Sequence, residues 1–150
     1  VQAEGISNTQ VERYILAGVA GLHLEDQVIA KRCGHLGNKQ LVDEETYLAR
    51  IRAADAARKR LGDIVIIART DALQSLGFDA AIARLKKAVA NGADVAFLEG
   101  MTTKEEMERA VKELVSDDRA GVWRTVIPIG TWGPSPGWQT INRLSLTWLR

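Results

Sequence analysis

Cysteine is almost missing from this 150-residue sequence, which holds a single one, Cys33. One thiol cannot close an internal disulfide, so a reducing compartment, the cytoplasm, is expected. No uninterrupted apolar run approaches the roughly 20 residues of a membrane span, and the N-terminus lacks the basic-then-apolar plan of a signal peptide. No glycine-rich phosphate fingerprint follows any candidate strand, which weakens a nucleotide-binding reading. The basic cluster of Lys31, Arg32 and Lys39 is small and lacks interleaved aromatics, so nucleic acid is not an expected partner. Acids are absent after Asp118. All three prolines (Pro128, Pro134, Pro136) and all four tryptophans (Trp123, Trp132, Trp138, Trp148) lie in that acid-free stretch, with Arg119, Arg124, Arg143 and Arg150. The formal net charge of +1 therefore combines a basic tail with a net acidic remainder. This composition break separates residues 1–118 from an atypical tail, 119–150.

What is present suits one soluble globular domain with a real core, at 46% hydrophobic and 26% charged residues. Ser7 or Asn8 is a candidate cap for a helix carrying Val11, Tyr14, Ile15 and Leu16 and stopped by Gly18. Val19 to Leu24 is a short, mainly apolar run, expected to be a strand buried on both faces. Asp43 is placed to cap a long helix with Tyr47, Leu48, Ile51, Ala54 and Leu61 on its core side, ended by Gly62. A second strand covers Ile64 to Ala68 and runs into the polar turn Arg69-Thr70-Asp71. Asp79 can start the next helix, with Ile82, Leu85, Lys86 and Val89 as its stripe and Gly92 as its stop. Val95 to Leu98 is a third strand, ending at Glu99. Thr103 and Glu106 match a capping box, followed by Met107, Ala110, Val111 and Leu114 as a core face.

Strands alternating with helices imply parallel βα units, in an open doubly wound sheet or a barrel. Glu25, Arg69 and Glu99 end three successive strands. A barrel points all such ends at one centre, so a (β/α)₈ barrel of TIM type is the favoured architecture. A complete one needs roughly 200 residues or more, so three to four of the eight units are expected here. The chain, which begins at Val1, is read as an incomplete one.

The loop from Asp26 to Val42 is longer than most connections in a compact domain, which favours a functional role. It gathers Lys31, Arg32, Cys33 and His35. Cations around a thiol favour its thiolate, bringing proton exchange toward neutral pH. Taken singly, these residues have plainer readings. Cys33 could be a buried, inert thiol, or a nucleophile, for which no activating base is identified. Glu25 and Asp26 read as loop acids, Arg69 with Asp71 as a structural ion pair, Glu99 as a strand's polar end, His35 as a loop residue, and His23 as structural.

Together, Gly18 to Gln27, Lys31-Arg32-Cys33-Gly34-His35, Ile67 to Ala72, and Gly92 to Asp94 through Phe97-Leu98-Glu99 resemble the isocitrate lyase and phosphoenolpyruvate mutase superfamily. The compact spacing resembles its short members, among them oxaloacetate acetylhydrolases (oxaloacetases), 2-methylisocitrate lyases and dimethylmalate lyases. The resemblance implies a Mg²⁺-dependent lyase or hydrolase, with Mn²⁺ as substitute, that breaks a C–C bond in a small di- or tricarboxylic acid. Oxaloacetate going to oxalate and acetate is one such reaction, and cleavage of 2-methylisocitrate or dimethylmalate another. It further implies that Cys33 protonates the enolate-like product, that Lys31 holds negative charge, and that Gly34, His35, Arg69 and Glu99 contact substrate. Glu25 would reach the metal through water. Full-length relatives would be homotetramers, and a 2-methylisocitrate lyase would allow a mitochondrial location.

Two departures stand out. The family's aspartate pair for Mg²⁺ comes from earlier strands, and Val1 to Ser7 holds nothing like it. The stretch from Val122 to Arg150 resembles no continuation of the family and reads as sequence joined from elsewhere, such as a retained intron or shifted frame. Two other functions are therefore weighed: a phosphonate mutase of the same fold, against which the cysteine loop argues, and an inactive product lacking metal ligands.

Overall fold

The computed structural model describes residues 2–28 and 40–115, with side chains for residues 9–28 and 40–114. The expectations for Lys31, Cys33, Gly34, His35 and the tail 119–150 lie outside the described residues.

Helix α1 (Gln2–Leu16) leads into β1 (Gly21–Glu25), followed by α2 (Glu44–Leu61), β2 (Val65–Thr70), the short α3 (Leu73–Leu76), α4 (Phe78–Ala90), β3 (Val95–Leu98) and α5 (Lys104–Val115). The strands form one parallel sheet of order β1-β2-β3. Parallel neighbours require a crossover of a dozen or more residues, and the intervening helices supply it.

Local signals set most of these boundaries. Asp43 accepts the Thr46 backbone N–H at 2.9 Å, and the Gly62 N–H reaches the Arg58 carbonyl at 3.0 Å, so α2 has both expected ends. The capping box also forms: the Thr103 hydroxyl accepts from the Glu106 N–H at 3.1 Å, and Glu106 Oε2 accepts from the Thr103 N–H at 3.3 Å.

Side chains alternate across β2. Ile66, Ala68 and Thr70 are buried on one side, and Ile66 and Ala68 join Ala96 and Leu98 of β3, Ile51 and Ala54 of α2 and Ala81, Ile82 and Leu85 of α4 in the core. The opposite set lies in register across the sheet, with His23 beside Ile67 and Ile67 beside Val95, then Glu25 beside Arg69 and Arg69 beside Phe97. Helices thus cover one face, and the other carries the polar row.

Several expectations fail for identifiable reasons. Neither Ser7 nor Asn8 caps α1, because the helix already runs from Gln2 through both. Val11 is buried, but Tyr14 and Leu16 are exposed, so only part of the apolar set faces the core. Strand β1 is not buried on both faces: Gly21 and His23 are exposed, since β1 is an edge of the described sheet and only its even-numbered residues face the helices. Leu61 and Val111 are exposed as well, one in the last turn of α2 and the other on the outer side of α5. On α4 the buried charged residue is Arg84, whereas Lys86 is exposed. The α3 turn was not foreseen; it follows from Ala72, whose carbonyl accepts from Leu76 N–H at 2.8 Å.

Candidate functional site

The ends of the three strands converge on one guanidinium. Arg69, the fifth residue of β2, sends Nε and Nη2 to the two oxygens of Asp71 at 3.0 and 3.1 Å. The same group lies 3.8 Å from Glu25 Oε2 at the end of β1 and 3.6 Å from Glu99 Oε2 just past β3. The guanidinium also stands 5.4 Å from the centre of the Phe97 ring. Register explains the convergence, because Glu25, Arg69 and Phe97 are neighbours in one row. Burial alone would lower the Arg69 pKa, but the Asp71 hydrogen bond and the charges of Asp71, Glu99 and Glu25 outweigh it and raise it. Arg69 is therefore a fixed cation among three carboxylates.

Behind that row lies a support that the sequence reading missed. Asp26, taken there as a loop acid, is fully buried. Its Oδ2 accepts the Thr70 hydroxyl at 2.5 Å, its Oδ1 accepts the Asp71 N–H at 2.9 Å, and Arg84 Nε lies 3.2 Å away. Burial dominates its environment and raises its pKa, against the hydrogen bonds from Asp71 and Thr70 and the charge of Arg84. Tyr47 of α2 donates its phenolic proton to the Arg69 carbonyl at 2.9 Å, and desolvation holds that phenol well above its usual pKa, so it remains a donor. Arg50 reaches the carbonyls of Glu25 and Gln27 at 3.1 and 2.9 Å. One signal was available: Arg84 interrupts the apolar stripe of α4, which an unpaired cation would not do cheaply.

Beyond Glu25 the chain doubles back. Val28 N–H reaches the Gln40 carbonyl at 3.0 Å, Val42 N–H reaches the Asp26 carbonyl at 2.8 Å, and Gln27 bridges Leu41. The structure thus brings Glu25, Arg69 and Glu99 together and adds Asp71, while His23 stands one row below on the exposed side of β1.

Among the described residues, no group of three or more His, Cys, Asp or Glu side chains is arranged to hold a metal ion. Asp71 and Glu99 are turned to Arg69, so the described carboxylates do not by themselves fit a magnesium site.

The family described as phosphoenolpyruvate phosphomutase matches residues 3–131 of the chain. The 2-methylisocitrate lyase of Escherichia coli (strain K12) is 54% identical over 92 residues, which cover 61% of this chain and 31% of that protein. Among solved structures, oxaloacetate acetylhydrolase in complex with the inhibitor 3,3-difluorooxalacetate is similar at a TM-score of 0.74 and 50% identity, over 81% of this chain and 39% of that one. Phosphonopyruvate hydrolase, solved with oxalate and Mg++, aligns at a TM-score of 0.62 and 29% identity, over 81% of this chain and 40% of that one. The chain spans about a third of the length of the curated relative it matches.

Proposed function

The chain belongs to the phosphoenolpyruvate phosphomutase family, and from that membership we propose that its strand ends serve the Mg²⁺-dependent cleavage of a C–C bond in a small di- or tricarboxylic acid. The observation that carries this reading is Arg69, held between Glu25 and Glu99 at the carboxyl ends of three adjacent parallel strands. A planar two-pronged donor suits a substrate carboxylate, and Asp71, Glu25 and Glu99 keep the fork charged and aimed until a substrate oxygen replaces one of them. Cleavage beside a carboxylate leaves an enolate, whose carbon takes a proton from the Cys33 thiol while Lys31 offsets the charge. Gly34 and His35 complete the carboxylate contacts.

Parallel order, right-sized crossovers and one helix-covered face support reading the sheet as part of a (β/α)₈ barrel, whose strand ends would all open on this site. Magnesium enters the reading through the solved relative that holds it; Glu25 would reach the ion through water and would not hold it alone. The lyase reading is preferred to phosphonate chemistry because identity is 54% to the methylisocitrate lyase and 29% to the phosphonopyruvate hydrolase.

The test is cleavage of oxaloacetate, 2-methylisocitrate and 2,3-dimethylmalate by the purified chain with Mg²⁺. Turnover of one of them that is lost in Cys33→Ser supports the reading. A folded chain that turns over none of them is instead the inactive product.

A further inference from the structure

Two donors on α2, one turn apart, reach main-chain carbonyls of neighbouring residues in the polar row. The Tyr47 phenol donates to the Arg69 carbonyl at 2.9 Å, and Arg50 Nη1 donates to the Glu25 carbonyl at 3.1 Å. Glu25 and Arg69 are partners in the register of β1 and β2. Core packing alone does not call for such donors, since Ile51 and Ala54 already seat α2 against the sheet. Tyr47 is fully buried and ends in a polar atom. A buried phenol needs a partner, and this one finds it on the residue that carries the guanidinium fork.

The bond bears on the aim of that fork. Arg69 and Asp71 hold each other through two hydrogen bonds and stand two residues apart, so two peptide planes set their relative position. The second plane is held by the Glu99 N–H at the Thr70 carbonyl, 3.0 Å, and by Asp26 Oδ1 at the Asp71 N–H, 2.9 Å. Tyr47 holds the first plane at its carbonyl. Without the phenolic oxygen that plane can tilt, and a guanidinium several bonds further out swings with it. A misplacement of about 1 Å is enough to spoil a two-pronged contact.

We propose that Tyr47 is a positioning residue of this site: its hydroxyl, bound to the Arg69 carbonyl, sets the direction in which the guanidinium meets a substrate carboxylate. The inference rests on the carboxylic-acid reading given under Proposed function, and it makes helix α2 a determinant of affinity for the acid.

The experiment compares the whole chain with Tyr47→Phe, Arg69→Lys and the double variant. Tyr47→Phe keeps the ring in the core and removes one oxygen. Oxalate titration calorimetry with Mg²⁺ gives Kd, oxaloacetate turnover gives kcat and KM, and NMR follows exchange of the Arg69 Nε proton without ligand. Expected for Tyr47→Phe are about a tenfold weaker oxalate Kd, a matching rise in KM, and faster Nε proton exchange. The loss of affinity should vanish in the Arg69→Lys background, where no fork remains to aim. A merely structural tyrosine would lower the melting temperature and leave the Kd of the folded chain unchanged. Parental Kd and exchange in Tyr47→Phe, or an equal loss of affinity in both backgrounds, overturn the assignment. Should Tyr47→Phe fail to fold, Tyr47→His decides, since it keeps a polar donor on a side chain too short to reach the carbonyl: a weaker Kd supports the assignment, and a parental Kd overturns it. A parent chain that neither binds oxalate nor turns over oxaloacetate overturns the carboxylic-acid reading before any substitution is made. Nε proton exchange then decides the positioning by itself: faster exchange in Tyr47→Phe upholds the hold of Tyr47 on the fork, and unchanged exchange overturns it.

Discussion

Arg84 Nε stands 3.2 Å from Asp26 Oδ2, joining the middle of α4 to the residue that follows β1, with side chains only 8% and 0% exposed. Asp26 also holds the Thr70 hydroxyl and the Asp71 N–H, so one buried carboxylate ties β1, β2 and α4 together directly behind the site.

Asp26→Ala should therefore destabilise the chain by about 3 to 5 kcal/mol, because it leaves Arg84 as an uncompensated buried charge. The double variant Asp26→Ala/Arg84→Met should lose less than the sum of the two single changes. Urea unfolding of the four proteins reads both. Additive losses would mean that the pair is not coupled.

Gly92 is a second fixed point, at the other end of the sheet. Its φ is +116°, and a Cβ there would lie 2.6 Å from Asp55 Cγ and 2.7 Å from Asp55 Cβ. Gly92→Ala should cost about 3 kcal/mol from backbone strain and overlap combined. A change in the denaturation midpoint too small to register would contradict this packing.

Asp55 sets a pH dependence. Burial alone would raise its pKa, but hydrogen bonds from Lys59 and Arg58 outweigh burial and hold it below the usual 3.8. An acid with a lowered folded-state pKa stabilises fully above its unfolded value, and that stability is lost as pH falls through the folded value. Stability measured from neutral pH down through 3.8 should fall, and Asp55→Asn should lower the neutral plateau and flatten the acid limb. Equal acid limbs in the two proteins would remove Asp55 from the account.

Arg69→Lys keeps the charge and loses the fork. Since Nε and Nη2 separately hold Asp71, a lysine cannot reproduce both bonds or present two parallel donors to a carboxylate. Under the proposed function, kcat/KM should fall about a hundredfold, a magnitude ordinary for losing a charge-stabilising donor. Steady-state kinetics on the best of the three acids checks this. Near-parental kcat/KM would leave Arg69 as the structural ion pair that its bond to Asp71 already makes.

Legibility in the sequence followed the range of the forces involved. Asp43 and Gly62 mark both ends of α2 because a cap acts within one helical turn, and Val95 to Leu98 shows as a strand because its apolar run is bounded by polar residues. The failures share a cause too. Val111 and Leu61 satisfy an apolar pattern, but which stripe is buried depends on how the helix docks. Asp26 looked like Glu25's equal in a loop. The pleat sends the two to opposite faces, one to the site and the other into the core.

The sequence by itself determined the three strands and the four longer helices, their alternation, and the polar residues that close each strand, including Glu25, Arg69 and Glu99. These depend on caps, periodicity and turn residues, whose physics is local. Only the tertiary structure decided which of those groups meet. The parallel register puts Glu25 beside Arg69, and the docking of α4 brings Arg84 to Asp26, from the other side of the sheet.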